Sequence, residues 1–374
     1  MSNVKDIGIG KFNFEPAISE GRPQPFRHIG KYRVRADARD IVTGRATFLD
    51  DFTVPRMIYA QVLRSPYAHA KIVSIDKTEA EAMPGVHCVI TYKDMPKGWT
   101  LGWPPHKDLM AEEVYFAGDP VAVVAADTVD IAREALHKIK VQYEVLPAVF
   151  DALDALQPDA PVLYPGKFKS GTNEVDPGVP HFQPEGPFWQ VIEGDIEEGF
   201  KNCKYVGETM VEFNKMCSPN APETPSCIVR WEGGNDYTVW ASSQSPFICK
   251  LYNGPRIPKS NLRVKTFNVG GSYGNKQTLS ETILCCASAA IKTGRPVKLV
   301  LSKAEQFAAH EQRLGSKIHA KIGMTEDGIF DAVQGCWYID TGALCDATQG
   351  QIGVGLGEAQ LVMAKCRHWD LDSK

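Results

Sequence analysis

The 374-residue chain is longer than one hydrophobic core usually organises, so two domains are expected. Its 43% hydrophobic and 23% charged residues are ordinary for a soluble globular protein, and its formal net charge of −4 provides no electrostatic attraction for nucleic acid or an anionic membrane. No apolar run approaches the roughly 20 residues of a spanning helix, and Met1 to Gly30 lacks the apolar centre of a secretory signal, so the cytoplasm is the expected location.

Residues 1–30 read as an N-terminal extension. From Lys31 to Asp151 strand and helix signals alternate, which predicts an α+β domain over 31–151. Strands are expected at Met57–Leu63, Ile72–Ile75 and Val86–Thr91, with a helical turn at Thr78–Met83. Pro120–Ala126 is a continuous apolar run, the pattern of a strand buried on both faces. Thr128 can cap the following helix, whose Ile131, Ala135, Leu136 and Ile139 share a face. Val141–Val145 then returns as a strand. Recurrent prolines and glycines mark 152–195 as a linker. A second domain, 196–374, opens with strands expected at Lys204–Phe213, Ser226–Trp231, Tyr237–Ala241 and Leu262–Val269.

That last strand runs into Gly270-Gly-Ser-Tyr-Gly-Asn-Lys276, and Glu281–Ile291 then has the composition of a closely packed helix stopped at Gly294. Strand, glycine loop and helix start together offer backbone N–H groups to an oxyanion, with glycines permitting close approach. The loop fits neither the Walker pattern, because Asn275 replaces the second glycine, nor the dinucleotide fingerprint. Taken alone, it is equally a structural turn.

Further residues carry little chemistry by pattern. The ten cysteines, Cys88, Cys203, Cys217, Cys227, Cys249, Cys285, Cys286, Cys336, Cys345 and Cys366, form no Cys-x-x-Cys pair, so they read as mostly buried apolar thiols and not as cluster ligands. His310, His319 and His368 lack metal-ligand spacing, and no metal site is expected from the side chains. Arg64 and His69 read as packing residues, Glu223 as a surface carboxylate among prolines, and Ser242-Ser243 as strand residues with no base attached.

Val269-Gly-Gly-Ser-Tyr-Gly-Asn-Lys276 resembles the Val-Gly-Gly-Gly-Phe-Gly-Gly-Lys loop of the xanthine dehydrogenase and aldehyde oxidase family of molybdenum hydroxylases. Trp240-Ala-Ser-Ser-Gln-Ser-Pro246 is similar to that family's Trp-Ser-Ser-Thr-Gln-x-Pro. Gly294-Arg-Pro-Val-Lys-Leu299, Ser302-Lys-Ala-Glu-Gln-Phe307 and Asp340-Thr-Gly-Ala343 follow in the family's order. Gly44-Arg-Ala-Thr-Phe48, Arg64-Ser-Pro-Tyr-Ala-His-Ala70, Met83-Pro-Gly-Val86 and Gly118-Asp-Pro-Val-Ala122 resemble its α/β hammerhead domain.

The resemblance covers nearly all of 31–374 and implies an α+β fold: a hammerhead domain over 31–151, then the first molybdopterin-binding domain over 196–374. It further implies that Gln244, Gly270, Gly271, Ser272, Tyr273 and Gly274 contact a molybdopterin cofactor, with or without a cytosine nucleotide. Tyr273 and Gln277 would lie near substrate. Gln277 stands where some purine-oxidising relatives have a glutamate, which argues against xanthine. Ser272 and Asn275 replace family glycines, and Pro219-Asn-Ala-Pro-Glu223-Thr replaces a His-x-x-x-Glu-Pro pattern.

The implied reaction inserts water-derived oxygen into an aldehyde, an N-heterocycle or another activated carbon. Its glutamate base and pocket arginine belong to family segments that have no counterpart here. Gly353-Val-Gly-Leu-Gly-Glu358 offers a superficial substitute, but Glu358 reads as the start of a helix, Ala359–Lys365. The expectation is a subunit inactive alone, completed by a second molybdopterin-binding subunit, a [2Fe-2S] subunit and an FAD subunit. A non-catalytic binding or assembly protein that keeps the fold is the competing reading.

Overall fold

The computed structural model describes residues 34–102, 107–164, 189–213, 218–257, 259–310, 312–313, 315–340, 342–344 and 368–373. The expected N-terminal extension, the 165–188 part of the linker, and Glu358 with its helix lie outside them. Residues 34–46 belong to a small unit of their own that carries helix α1 (Ala38–Val42). Residues 47–374 form the second unit.

The first half of that unit contains strands β1 (Ile58–Arg64), β2 (Ala70–Asp76), β3 (Val86–Thr91), β4 (Thr100–Leu101), β5 (Lys107–Asp108), β6 (Glu113–Val114), β7 (Pro120–Ala126) and β8 (Lys140–Val145), with helices α2 (Thr78–Glu81) and α3 (Val129–Leu136). Beyond the linker come β9 (Trp189–Glu193), α4 (Ile196–Lys201), β10 (Tyr205–Phe213), β11 (Ser226–Gly233), β12 (Asp236–Ala241), α5 (Pro246–Arg256) and β13 (Asn261–Lys265). The chain continues through α6 (Ser280–Thr293), β14 (Val297–Val300), α7 (Lys303–Ala309), β15 (Gly315–Met324), β16 (Phe330–Asp340) and β17 (His368–Ser373).

The principal sheet has seven strands in the order β13-β12-β11-β14-β1-β7-β3. It therefore draws on chain from both sides of the linker, joined where β1 runs parallel to β14 with Ile58 opposite Val297. The apolar run 120–126 forms β7, buried at every residue and paired on both edges. Because strand side chains alternate, one strand serves two cores. Ala122, Val124 and Ala126 pack with Ala132 and Ala135 of α3, whereas Val123 and Ala125 join the core containing Ile283 and Leu284 of α6. Thr128 caps α3 as its position predicts, its hydroxyl accepting from the Ile131 N–H. A five-stranded sheet, β10-β15-β16-β17-β9, and a three-stranded one, β6-β2-β8, complete the main sheets.

Helix α6 carries the small residues Cys285, Cys286, Ala287, Ser288, Ala289 and Ala290, all buried, which let it lie close against the sheet. It ends at Gly294 in the left-handed region, φ 65°. The helix begins at Ser280, so Gln277, Thr278 and Leu279 separate it from the glycine loop, and Leu279 itself turns at φ 52°. The preceding strand is shorter than its alternation suggests. Among the described residues β13 pairs only with β12, which ends at Ala241, and β13 ends at Lys265 beside it. Helix α5 was not legible in the sequence: Gly254-Pro255 sits inside it, and its buried face includes the polar Asn253 and Arg256.

Arg64, at the end of β1, joins the two halves electrostatically. Its guanidinium bonds Glu281 of α6 at 2.8 Å, Glu305 of α7 at 3.1 Å and the Gly118 carbonyl at 2.9 Å. Burial opposes its charge, yet the two carboxylates outweigh burial and raise its pKa. Burial pushes the Glu281 carboxyl up from its ordinary value, against the pull of Arg64. Nearby, Lys107 and Asp119 form a fully buried pair at 2.8 Å. His69 holds Glu113 and the Pro147 carbonyl, a packing role as expected. Among the described residues no helix is long and apolar enough to cross a membrane.

Two predictions follow from this core. Burial raises the thiol of Cys88 to about 11 and that of Cys249 to about 12, and lifts Cys285 and Cys286 well above the ordinary 9.0. At neutral pH all four stay protonated and covered, so peptide mapping after thiol alkylation should find them unlabelled in native protein and labelled in denaturant. Labelling in the native state would contradict the packing of α6 and α5. For Glu281, a folded pKa above 4.5 means that the native state binds the proton more tightly. Its contribution is full below that ordinary value and lost as pH rises through the raised one. The stability of wild type relative to Glu281→Gln should therefore be greatest at the acid end, and denaturant titrations across pH would expose a flat or rising difference.

Candidate functional site

The glycine loop is held from outside by two side chains that arrive from different segments. Glu223, before β11, is the first. Its Oε2 accepts from the Gly270 N–H at 2.8 Å and from the Lys276 Nζ at 2.9 Å, so one carboxylate oxygen grips both ends of the loop. The Glu223 N–H in turn donates to the Gly270 carbonyl at 3.0 Å. Lys276 is 0% exposed and Glu223 14%, so this is a buried ion pair. Burial lowers the Lys276 pKa, and the carboxylate works against that shift. The expectation that Glu223 is a surface carboxylate is thus corrected: Pro222 and Glu223 pack against Gly271 and Gly270 of the loop. Nothing in its local sequence signals a lysine 53 positions away.

Gln244 is the second support. It follows β12, whose end is fixed by Trp240, buried with Leu49 and Ile228 and 5.8 Å from the Phe52 ring. Ser242 and Ser243 lie just past that strand and not within it. Ser242 Oγ accepts from the Ser226 N–H at 3.0 Å, while Ser243 Oγ donates to the Lys276 carbonyl at 2.9 Å. The Gln244 N–H donates to the same carbonyl at 3.1 Å. Thus 242–244 is tied backbone-first to the loop, and the Gln244 side chain crosses to its middle, where Oε1 accepts from Ser272 Oγ and from the Gly274 N–H at 3.0 Å.

The glycines answer different demands. A Cβ on Gly270 would stand 2.7 Å from the Glu223 Cβ, so packing alone requires glycine there. Gly271 has φ 92°, and a Cβ would meet Pro222 at 3.0 Å and the Tyr273 hydroxyl at 3.1 Å. Gly274, at φ 106°, faces open space, with nothing within 4 Å of a Cβ. That open flank, next to the exposed Gln244, is where a ligand can reach the backbone. Tyr273 is left-handed at φ 59° and 59% exposed, and its ring folds back toward Gly271. Its carbonyl accepts from Arg313 Nη2 at 3.2 Å, and the Asn275 carbonyl accepts from His310 Nε2. Sequence pattern did not associate His310 or Arg313 with the loop, since both arrive from beyond α7.

Asn275 is buried with neither side-chain polar atom hydrogen-bonded within the protein. An orphaned amide of this kind costs about 1–3 kcal/mol until a water or ligand meets it. Gln277 is half-buried and its carbonyl accepts from Ser243 Oγ at 3.3 Å. The six residues expected to bind cofactor therefore come together in one small region, with Gln277 just beyond the loop in the chain. Among the described residues, no group of three or more His, Cys, Asp or Glu is placed to hold a metal ion. What the site offers is uncharged polar groups: the exposed Gln244 carboxamide and the backbone on the open flank of Gly274, suited to an oxygen-rich or heterocyclic ligand.

Comparison with known proteins gives the same direction. Residues 181–373 match the molybdopterin cofactor-binding domain family, and residues 43–147 match the a/b hammerhead domain of aldehyde oxidase and xanthine dehydrogenase. The chain is 32% identical over 323 residues to the nicotinate dehydrogenase large molybdopterin subunit of Eubacterium barkeri, covering 85% of this chain and 72% of that one. It is 32% identical over 308 residues to the carbon monoxide dehydrogenase large chain of Hydrogenophaga pseudoflava, covering 79% of this chain and 37% of the relative. Among solved structures, CO dehydrogenase from Oligotropha carboxidovorans superposes with a TM-score of 0.70 at 25% identity, over 82% of this chain and 39% of that one. Aldehyde oxidoreductase from Desulfovibrio gigas shares the fold, with a TM-score of 0.70 at 24% identity, over 81% of this chain and 33% of that one. The chain thus spans about two-fifths of the length of several relatives.

The loop's buried pair yields a direct test. Lys276→Met leaves the Glu223 carboxylate without its cation, and Glu223→Gln leaves the ammonium without its anion. Each should cost about 3–5 kcal/mol in denaturant unfolding, with the double variant recovering much of the loss. Single variants as stable as wild type would mean that the pair does not hold the loop.

Proposed function

Because this chain belongs to the molybdenum hydroxylase family of xanthine dehydrogenases and aldehyde oxidases, we propose that it is the molybdenum-cofactor-binding component of a hetero-oligomeric oxidoreductase. The reaction is hydroxylation of an aldehyde, an N-heterocycle or another activated carbon: R–H and water give R–OH, two electrons and two protons. The observation that carries this reading is the meeting of Gln244 with the middle of the glycine loop, through Ser272 and Gly274.

The residues present suit a molybdopterin. Gly274 leaves open the flank a Cβ would enter, the buried Asn275 amide lacks a protein partner, and the donors are uncharged. Gln244 and the 270–274 loop would hold the cofactor, which when bound supplies the redox centre and the activated oxygen. The loop's part is positional: Glu223 and Lys276 fix its ends so that its N–H groups do not reorganise during the reaction. Tyr273 and Gln277 would border the substrate, the Tyr273 phenol adding a hydroxyl to that wall. Residues 31–151 would form the hammerhead domain and 196–374 the first cofactor-binding domain, with the seven-stranded sheet continuous between them.

The general base would be a glutamate supplied from outside these elements, on a second molybdopterin-binding polypeptide. Electrons would leave through [2Fe-2S] and FAD subunits. Purification of the chain under native conditions, followed by metal analysis and mass identification of its companions, tests the proposal. Stoichiometric molybdenum and an iron–sulfur companion are expected. A correctly matured complex without molybdenum would overturn the reading.

A further inference from the structure

We infer that strand β10 is an interface between two copies of this chain, which pair edge to edge about Thr209 and join their five-stranded sheets into one continuous sheet. β10 ends its sheet: all nine of its residues pair with β15, and among the described residues no strand meets its other edge. Every one of them is exposed. Side chains alternate along a strand, so Tyr205, Val211 and Phe213 lie on one face and Val206 and Met210 on the other. Tyr205 is 51% exposed, Val211 43% and Phe213 58%. A free edge is ordinarily blunted by lysine, proline or a bulge, and Tyr205–Phe213 has none of these. Its two carboxylates do not guard it either, because both are held across β15. Glu208 accepts from His319 Nε2 at 2.8 Å, and Glu212 lies 3.3 Å from Lys317 Nζ.

The strand is complementary to itself. A two-fold axis through Thr209 gives the antiparallel register that uses the whole of β10. It sets Tyr205 opposite the partner's Phe213 and Phe213 opposite the partner's Tyr205, two aromatic cross-strand pairs. Val211 meets the partner's Gly207, where a Cβ would find nothing within 4 Å, so the valine has room. Glu208 and Glu212 meet Met210 and Val206, and no two carboxylates stand directly opposed. The neighbouring registers are worse. Moving the axis to Glu208 sets that residue against its own counterpart, and moving it to Met210 sets Glu208 against Glu212, like charges that repel. A slip of half that size turns the apolar face of one copy against the other face of its partner.

The pairing also extends an apolar row already present within each copy. Tyr205 stands opposite Met324 of β15, which stands opposite the exposed Phe330 of β16. The exposed Ile322 lies beside Gly207. Phe213 of the partner subunit would lengthen that row by one ring and withdraw it from water, which is the driving force for the contact.

Cysteine variants of the natively purified protein test the register. In Thr209→Cys the two thiols face each other across the axis, with the Cα separation of about 4.5–5.5 Å that directly opposed residues have, within reach of a disulfide. Oxidised glutathione should then give a covalent pair of this chain severalfold above the wild-type background. Val206→Cys, which faces the partner's Glu212, lies roughly 20 Å from its own counterpart and should stay at background. Charge tests the contact itself. Gly207→Lys with Val211→Lys sets ammonium groups directly opposite one another, and sedimentation should show the two-copy particle dissociating at least tenfold more readily. Gly207→Glu with Val211→Lys should restore it.

A wild-type particle holding one copy of this chain would overturn the inference. So would equal cross-linking of the two cysteine variants, Thr209→Cys at background, or like-charged variants that keep two copies together. Cross-linking of Thr209→Cys to a different polypeptide would also overturn it, assigning the edge to that companion. Molybdenum content does not enter these readouts, so failure of the cofactor-binding proposal leaves the inference to be decided by them alone.

Discussion

An ammonium group taken out of water must be answered nearby, and the burial of Lys276 is the constraint around which this site is built. The answer comes from Glu223, whose Oε2 also binds the Gly270 N–H. The two ends of a seven-residue bend are thereby fastened to one oxygen atom. A glycine-rich segment, which would otherwise sample many backbone states, becomes a fixed bend. Rigidity of that kind suits the positional part proposed for the loop. It also explains why a lysine in this loop does not reach toward a ligand: its charge is committed inward.

The support behind the loop is just as specific. Helix α6 starts three residues beyond the loop and packs its small residues into a sheet made by both halves of the chain. Arg64 leaves β1 to bind Glu281 in the first turn of α6 and Glu305 in the capping box of α7. The carboxylate in the first turn lies at the favourable end of the helix dipole, and the guanidinium makes its burial tolerable. Helices α6 and α7 and the strands of the first half therefore share one electrostatic anchor. From beyond α7, His310 and Arg313 then reach the loop carbonyls of Asn275 and Tyr273.

Much of this architecture is legible from local pattern. The apolar run 120–126, short and rich in valine, reads as a strand covered on both faces, and β7 is one. Thr128, Gly294 and the small residues of α6 each announce a terminus or a close contact by chemistry that acts within a few residues. Helix α5 and the shortened β13 were hidden because their form depends on neighbours. Polar Asn253 and Arg256 look exposed until their partners appear: the Thr278 carbonyl for one, Ser280 Oγ and the Gly102 carbonyl for the other. β13 stops beside the end of β12, the strand it pairs with among the described residues.

By itself the sequence determined the family, the glycine loop, Gln244 as its companion and the main strands of the core, since each is written in contiguous residues or in ordered motifs. Only the tertiary structure decided that Glu223 belongs to the site, that Lys276 points inward, and that the Gln244 side chain meets Ser272 and Gly274. Those outcomes rest on hydrogen bonds between groups 28 to 53 positions apart. A polar side chain takes its role from whichever donor or acceptor the fold brings within about 3 Å, and no local pattern specifies that partner.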